Sequence, residues 1–351
     1  MSHLLLSLIE CPQLQADLNN VNACRIYVPE NLPVVQFLTS EANTNRVLET
    51  SVSPGAGKYR SVQLVYTPRV GEGEVDTALT TDCDNTHFAG QDSETYEIDP
   101  TQGVSWSEAV NFAEIAAICT SNPQWIAQRL QAGMDGLTRK METIASQQLV
   151  ALYGSFVADG DTGLSAGNTL KTISTIGADD KFTEDAIQEI TYSAVNSGFC
   201  GMPFVFGYNL IWKYMQKTKA VCCANSGIDF VQFMAENQAM FFSTYRVPAA
   251  MGLTNGFLAL DAGSAYLLQY NKFSEGSELN VQADKFLRMG TLVDPKTGIE
   301  FNYKIYLNPC GEKLNLFLST AFKVVALPST FTAGDRFFGT NGILRFNVNN
   351  A

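Results

Sequence analysis

The sequence runs to 351 residues, 46% of them hydrophobic and 17% charged, with a net charge of −12. A chain of that length holds two or three domains with substantial cores, and its charged fraction lies below the ~25% of an average globular protein. The acidity argues against a reader of nucleic acid, which needs clustered Lys and Arg, but is compatible with a container whose wall repels enclosed phosphate.

In chain order, residues 1–50 have weak periodicity and several prolines (Pro12, Pro29, Pro33). Leu4–Ile9 and Val34–Thr39 each suit a helical turn or a strand, and the whole stretch reads as an arm lying across something else. In Ser61–Val70 the alternation of Val62, Leu64 and Tyr66 predicts a strand that Pro68 interrupts, and Tyr96 and Ile98 belong to a second strand. Between them lies an acidic, turn-rich segment, GEGEVDTALTTDCDNTHFAGQDSE. Two strands with a polar tip and few core residues predict an extended β-loop that gains burial from a neighbouring subunit. Excising Gly71–Ser93 is therefore expected to leave a folded subunit that assembles poorly.

Ser105–Cys119 is expected to be helical, with Ser105 and Glu108 at capping-box spacing. The strongest signal follows in Asn122–Tyr153. Ile126, Leu130, Met134, Leu137, Met141, Ile144 and Leu149 form one apolar stripe, Asn122 and Pro123 suit the start, and Gly154 suits the stop. At 1.5 Å per residue this helix is about 45 Å long, against a usual length of ~11–12 residues. Ala158–Asn168 reads as a loop, Thr183–Ser197 as a helix, Met202–Phe206 as a buried strand and Asn209–Lys219 as a helix. Phe257–Leu260 reads as a strand, followed by a helical turn over Ala262–Gln269. Strand–helix alternation over 177–265 describes an α/β domain. The rest returns to β: Gly298–Leu307 alternates Ile299, Phe301, Tyr303 and Ile305, Lys313–Leu327 supplies one long or two shorter strands, and ILRFNV, within Asp335–Val348, is a last strand.

No catalytic signature emerges. Gly55–Lys58 (GAGK) fails as a phosphate loop, because Val52 stands where the first Gly belongs and Tyr59 where the Ser or Thr belongs. Asp159 and Asp161 begin a calcium-loop spacing that Gly163 and Leu170 break. The eight cysteines, among them Cys200, Cys222 and Cys223, include no Cys-x-x-Cys pair, and with only His3 and His87 a zinc site lacks ligands. Reduced thiols in a cytosolic compartment are the expectation. MSHLLLSLIE has no basic region or cleavage site, and no apolar run reaches membrane-spanning length. No catalytic, cofactor-binding or metal-ligating residue is assigned, and no cofactor is expected.

The order of arm, long β-loop, long helix, α/β domain and β-rich return resembles the major capsid proteins of tailed phages, the Hong Kong 97-type fold. Asp294–Leu327 (DPKTGIEFNYKIYLNPCGEKLNLFLSTAFKVVAL) looks like that family's closing peripheral strands, and Asn255–Tyr270 (NGFLALDAGSAYLLQY) is similar to the strand and helix that leave its axial domain. The resemblance implies an α+β fold with an N-terminal arm (1–50), an extended β-loop (51–104), a peripheral domain with a spine helix (105–176), an axial domain (177–265), and the second part of the peripheral domain with the C-terminal strand (266–351). It implies a non-catalytic shell protein in the virion, assembled in the host cytoplasm as pentamers and hexamers. Such a shell encloses double-stranded DNA without reading its sequence, takes portal, scaffolding or decoration proteins as partners, and involves no membrane. An encapsulin-like compartment, another virion structural protein and a cytosolic thiol-dependent enzyme are the alternatives. Within the resemblance, the long helix should lay its stripe on the strands of 298–327 and keep its other face polar.

Overall fold

The computed structural model describes residues 32–40, 48–50, 60–66, 92–99, 102–111, 122–157, 167–175, 184–207, 239–270, 288–295, 297–307, 313–327 and 340–350. The expected elements at Leu4–Ile9, Asn209–Lys219 and the loop tip lie outside the described residues, as do Gly55–Lys58 and Asp159–Gly163.

The elements are α1 (Pro33–Leu38), β1 (Leu48–Thr50), β2 (Arg60–Tyr66), β3 (Asp92–Ile98), β4 (Gly103–Asn111), α2 (Asn122–Ala151), β5 (Lys171–Thr175) and α3 (Glu184–Asn196). They continue with β6 (Phe204–Gly207), β7 (Met240–Ser243), α4 (Arg246–Met251), β8 (Gly256–Leu260), β9 (Ala265–Tyr270), β10 (Arg288–Val293), β11 (Glu300–Leu307), β12 (Lys313–Ala326) and β13 (Ile343–Asn350).

The long helix forms as its periodicity demands. Leu130, Met134 and Met141 are fully buried, and Ala145 takes an inside position beside the half-buried Ile144. They pack on Phe301, Tyr303, Ile305, Leu314, Leu316 and Leu318 of β11 and β12 in one core. Alternation does the rest of the work: even-numbered residues of β12 and odd-numbered residues of β11 face the helix, while their neighbours face away. The first sheet has the order β10-β11-β12-β4, and the last six residues of β12 pair with β9.

Two glycines of α2 have opposite meanings. A Cβ on Gly133 would lie 2.7 Å from the Trp106 ring, so the indole of β4 rests directly on the helix backbone there, whereas Gly136 is exposed with nothing within 4 Å. Gly136→Ala should therefore stabilise the chain by about 0.8–1 kcal/mol through helix propensity. Gly133→Ala should lose that gain to overpacking, for a net cost of roughly 1 kcal/mol or more. Paired urea titrations read both; equal gains at the two positions would refute the contact.

Two expectations are corrected. Ser105–Asn111 is strand rather than helix: Val104 and Val110 are buried, Ser105, Ser107 and Ala109 are exposed, and the whole of β4 pairs antiparallel with Lys313–Ala321. Glu108 caps no helix; it points to α2 and pairs with Arg129. Residues 112–119 lie outside the described residues. Likewise Ala262–Gln269 is not a helical turn: a turn at 262–264 leads into β9, whose six residues pair with Ala321–Ala326. In both places an antiparallel partner far along the chain overrides local preference.

The second sheet has the order β5-β13-β8-β6-β7 and combines parallel pairs (β5 with β13, β6 with β7) with antiparallel ones. It draws β5 and β13 from outside the 177–265 segment. Alternate residues serve opposite faces. Val205, Phe257, Ala259, Leu344 and Phe346 pack under α3 through Ala186, Ile187 and Ile190, while Phe206, Leu258, Leu260 and Ile343 join the core of the long helix.

The long helix hands over to this sheet through polar contacts. Asn341 Nδ2 donates to the Leu152 carbonyl at 2.7 Å, and the Gly154 N–H donates to the Ile343 carbonyl at 2.9 Å. A Cβ on Gly154 would overlap Asn341 Oδ1, so the expected stop is a site of close approach. The Arg345 guanidinium stacks 3.4 Å over the Tyr153 ring and donates from Nε to the Thr169 carbonyl.

Candidate assembly surface

Strands β1, β2 and β3 form a three-stranded ribbon in that order. The ribbon is anchored on the rest of the chain: Leu64 and Ile98 are buried against Tyr266, Leu268, Val325 and Leu327 on the face of β9 and β12 opposite the long helix. The Tyr96 hydroxyl donates to the Ala326 carbonyl at 2.7 Å, and Lys323 Nζ donates to the Glu97 carbonyl at 3.2 Å. Tyr66 pairs directly with Asp92, and the intervening 67–91 lie outside the described residues. His87 lies in this segment, outside the described residues, as do His3, Cys222 and Cys223.

Among the described residues, five of the eight exposed large apolar side chains lie on or beside α3, β6 and β7. Tyr192 (45%) and Val195 (56%) stand on the outer face of α3, Met202 precedes β6, Met240 opens β7, and Tyr245 (58%) follows it. Single exposed apolar residues are ordinary, but several on one lobe mark a surface suited to contact with another protein. By contrast, the outward side of α2 carries Gln128, Arg139, Lys140 and Gln147, with only the small Ala132 and Gly136 between them, and is polar as the stripe predicts.

The polar groups taken inside are structural in their geometry. Lys171 on β5 is 5% exposed and donates from Nζ to Glu189 and, at 2.6 Å, to Ser193 Oγ, both on α3. Glu189→Ala would leave that ammonium buried without its carboxylate and should cost about 2–4 kcal/mol. Lys171→Met leaves a carboxylate that is 31% exposed and reaches water, so it should cost less, about 1 kcal/mol. Denaturant midpoints test the order, and the reverse order would disprove it. Elsewhere, Gln131 Nε2 donates to Asp135 and to Asp294, whose other oxygen accepts from Thr297 at 2.6 Å, tying the turn before β11 to α2.

Among the described residues no group of three His, Cys, Asp or Glu side chains is arranged to hold a metal ion. Among them, too, no helix is long and apolar enough to cross a membrane. Cys200 is exposed, and its backbone N–H donates to the buried Asp261 carboxylate at 3.3 Å. Residue motifs point to no feature of this surface.

No protein-family model matches the chain, and no curated protein matches it. Among solved structures it is similar to the capsid asymmetric unit of cyanophage A-1(L), with 14% identity over 92% of this chain and 94% of that one, at a TM-score of 0.51. It is also similar to a structure from Microbacterium phage Oxtober96 (10% identity, 93% and 94% covered, TM-score 0.47). A third is the capsid of a native GTA particle (10% identity, 93% and 92% covered, TM-score 0.46). The cyanophage likeness spans nearly all of both chains, and what it shows is a shared fold.

Proposed function

We propose that this chain, having the fold of a phage capsid, is a major capsid protein that builds an icosahedral shell from pentamers and hexamers of itself. The observation that supports this reading most is the near full-length correspondence with the cyanophage capsid. A ribbon anchored in its own subunit and a lobe with exposed Tyr192, Val195 and Tyr245 agree with it. The mechanism is geometric. Lobes built on the second sheet meet at symmetry axes, and arm and β-loop strap adjacent subunits by strand pairing and apolar burial.

In Hong Kong 97-type terms the arm is 1–50, the extended loop 51–104, the peripheral domain 105–176 with 266–351, and the axial domain 177–265; β5 and β13 complete the axial sheet. The role is structural and virion-bound, with assembly in the host cytoplasm and double-stranded DNA as contents. Acid on the inner wall lets that DNA slide, and a basic inner wall would count against the idea. Portal, scaffolding or decoration proteins are the further partners this reading implies.

Negative-stain microscopy of the purified chain tests the proposal. Closed shells are expected, and a monodisperse monomer under all assembly conditions would overturn it. Shells isolated from producing cells with protein cargo in place of DNA would move the assignment to a compartment shell.

A further inference from the structure

The helix α1 begins without a cap of its own. Leu32 occupies the N-cap position, offers no side-chain oxygen, and is followed by Pro33. The first free N–H groups, those of Val34 and Val35, would be orphaned in a buried place. Glu142, fully buried in the middle of α2, accepts both: Val34 N–H donates to one carboxylate oxygen at 3.0 Å and Val35 N–H to the other at 2.8 Å. The cap thus comes from more than 100 residues away.

The other end of α1 grips the second sheet. Phe37 is 5% exposed, its ring 4.6 Å from that of Phe204 and 5.5 Å, edge-on, from that of Phe206, and both rings stack on Phe242. Val34, Val35 and Leu38 join the core shared by α2, the first sheet and the inner face of the second. All of α1 but Gln36 is buried, yet no strand pairing holds it. Among the described residues, the Glu142 carboxylate ties its start to the long helix and the Phe37 ring ties its end to the second sheet.

We infer that α1 is a releasable latch between the long helix and the second sheet: docked, it fixes their relative angle, and withdrawn, it lets them move. Backbone hydrogen exchange on the purified full chain tests this, and the inference does not rest on the shell-forming role. In Glu142→Gln one oxygen becomes an NH₂ group that cannot accept, so the amides of Val34 and Val35 should exchange at least about tenfold faster. If α1 is a latch, Phe204–Gly207 and Met240–Ser243 should also speed up by about threefold or more, with Glu300–Leu307 unchanged. Glu108→Gln, which disturbs only the partly exposed pair with Arg129, should leave all of these at their starting rates.

Unchanged exchange at Val34 and Val35, faster exchange there with the second sheet unaffected, or equal acceleration of Glu300–Leu307 would each overturn the latch. Should Glu142→Gln fail to fold, Phe37→Leu loosens the opposite end and must give the same pattern, and its absence would be decisive against the proposal.

Discussion

Replacing residues 67–91 with an Asn-Gly turn should leave a subunit that melts like the full chain but scarcely closes into shells. Tyr66 pairs directly with Asp92, so a two-residue turn joins β2 to β3 with both strands at full length. The anchor survives, because Leu64, Tyr96 and Ile98 and their partners on β9 and β12 are untouched. The structure thereby refines the simpler excision of Gly71–Ser93, which would also remove two residues of β3. Losing only ~1.4 kcal/mol per strap contact lowers that contact's association constant about tenfold, and the loss repeats at every copy in a closed particle. Particle counts by electron microscopy beside sedimentation of the unassembled fraction provide the measurement. A full yield of normal shells would remove the β-loop from the assembly mechanism.

Gly207→Ala should be among the most damaging single-methyl additions in the described chain, and Phe257→Leu should partly rescue it. Gly207 on β6 pairs with Phe257 on β8, and a Cβ there would overlap the Phe257 ring at Cδ1 and Cε1. The ring is fully buried between the sheet and α3 and has nowhere to retreat. Overpacking of this kind costs about 1–3 kcal/mol and occasionally more. Leucine at 257 vacates the contact, so in that background Gly207→Ala should cost at least about 1 kcal/mol less, a coupling that a double-mutant cycle of urea midpoints measures. Strictly additive costs would mean that the ring does not set the limit.

Elements with a strong local period were legible before the fold was known. The α2 stripe, the alternation of β11, the buried run of β6 and the 184–196 helix each declare themselves within a dozen residues. β4 and β9 did not, because what makes them strands is a register with β12, and a capping-box spacing at Ser105 and Glu108 imitated a helix start. Glu142 had no signal at all: a Glu in a long helix reads as solvated, and only the folded chain shows it turned inward onto α1. The exposed apolar positions had no signal either, since the exposure of Tyr192 or Val195 depends on which face of α3 the second sheet takes.

The pairing of β12 also sets a timetable for synthesis. β4 waits for a partner about 200 residues downstream, which at ~5–20 residues per second means roughly 10–40 s without its ladder. β5 waits almost as long for β13, and β8 cannot complete its second edge before that strand emerges. Neither sheet can close on a half-made chain. Until then β4, β5 and β8 carry unpaired edges on the growing chain, and such edges are open to non-native pairing for most of the time of synthesis.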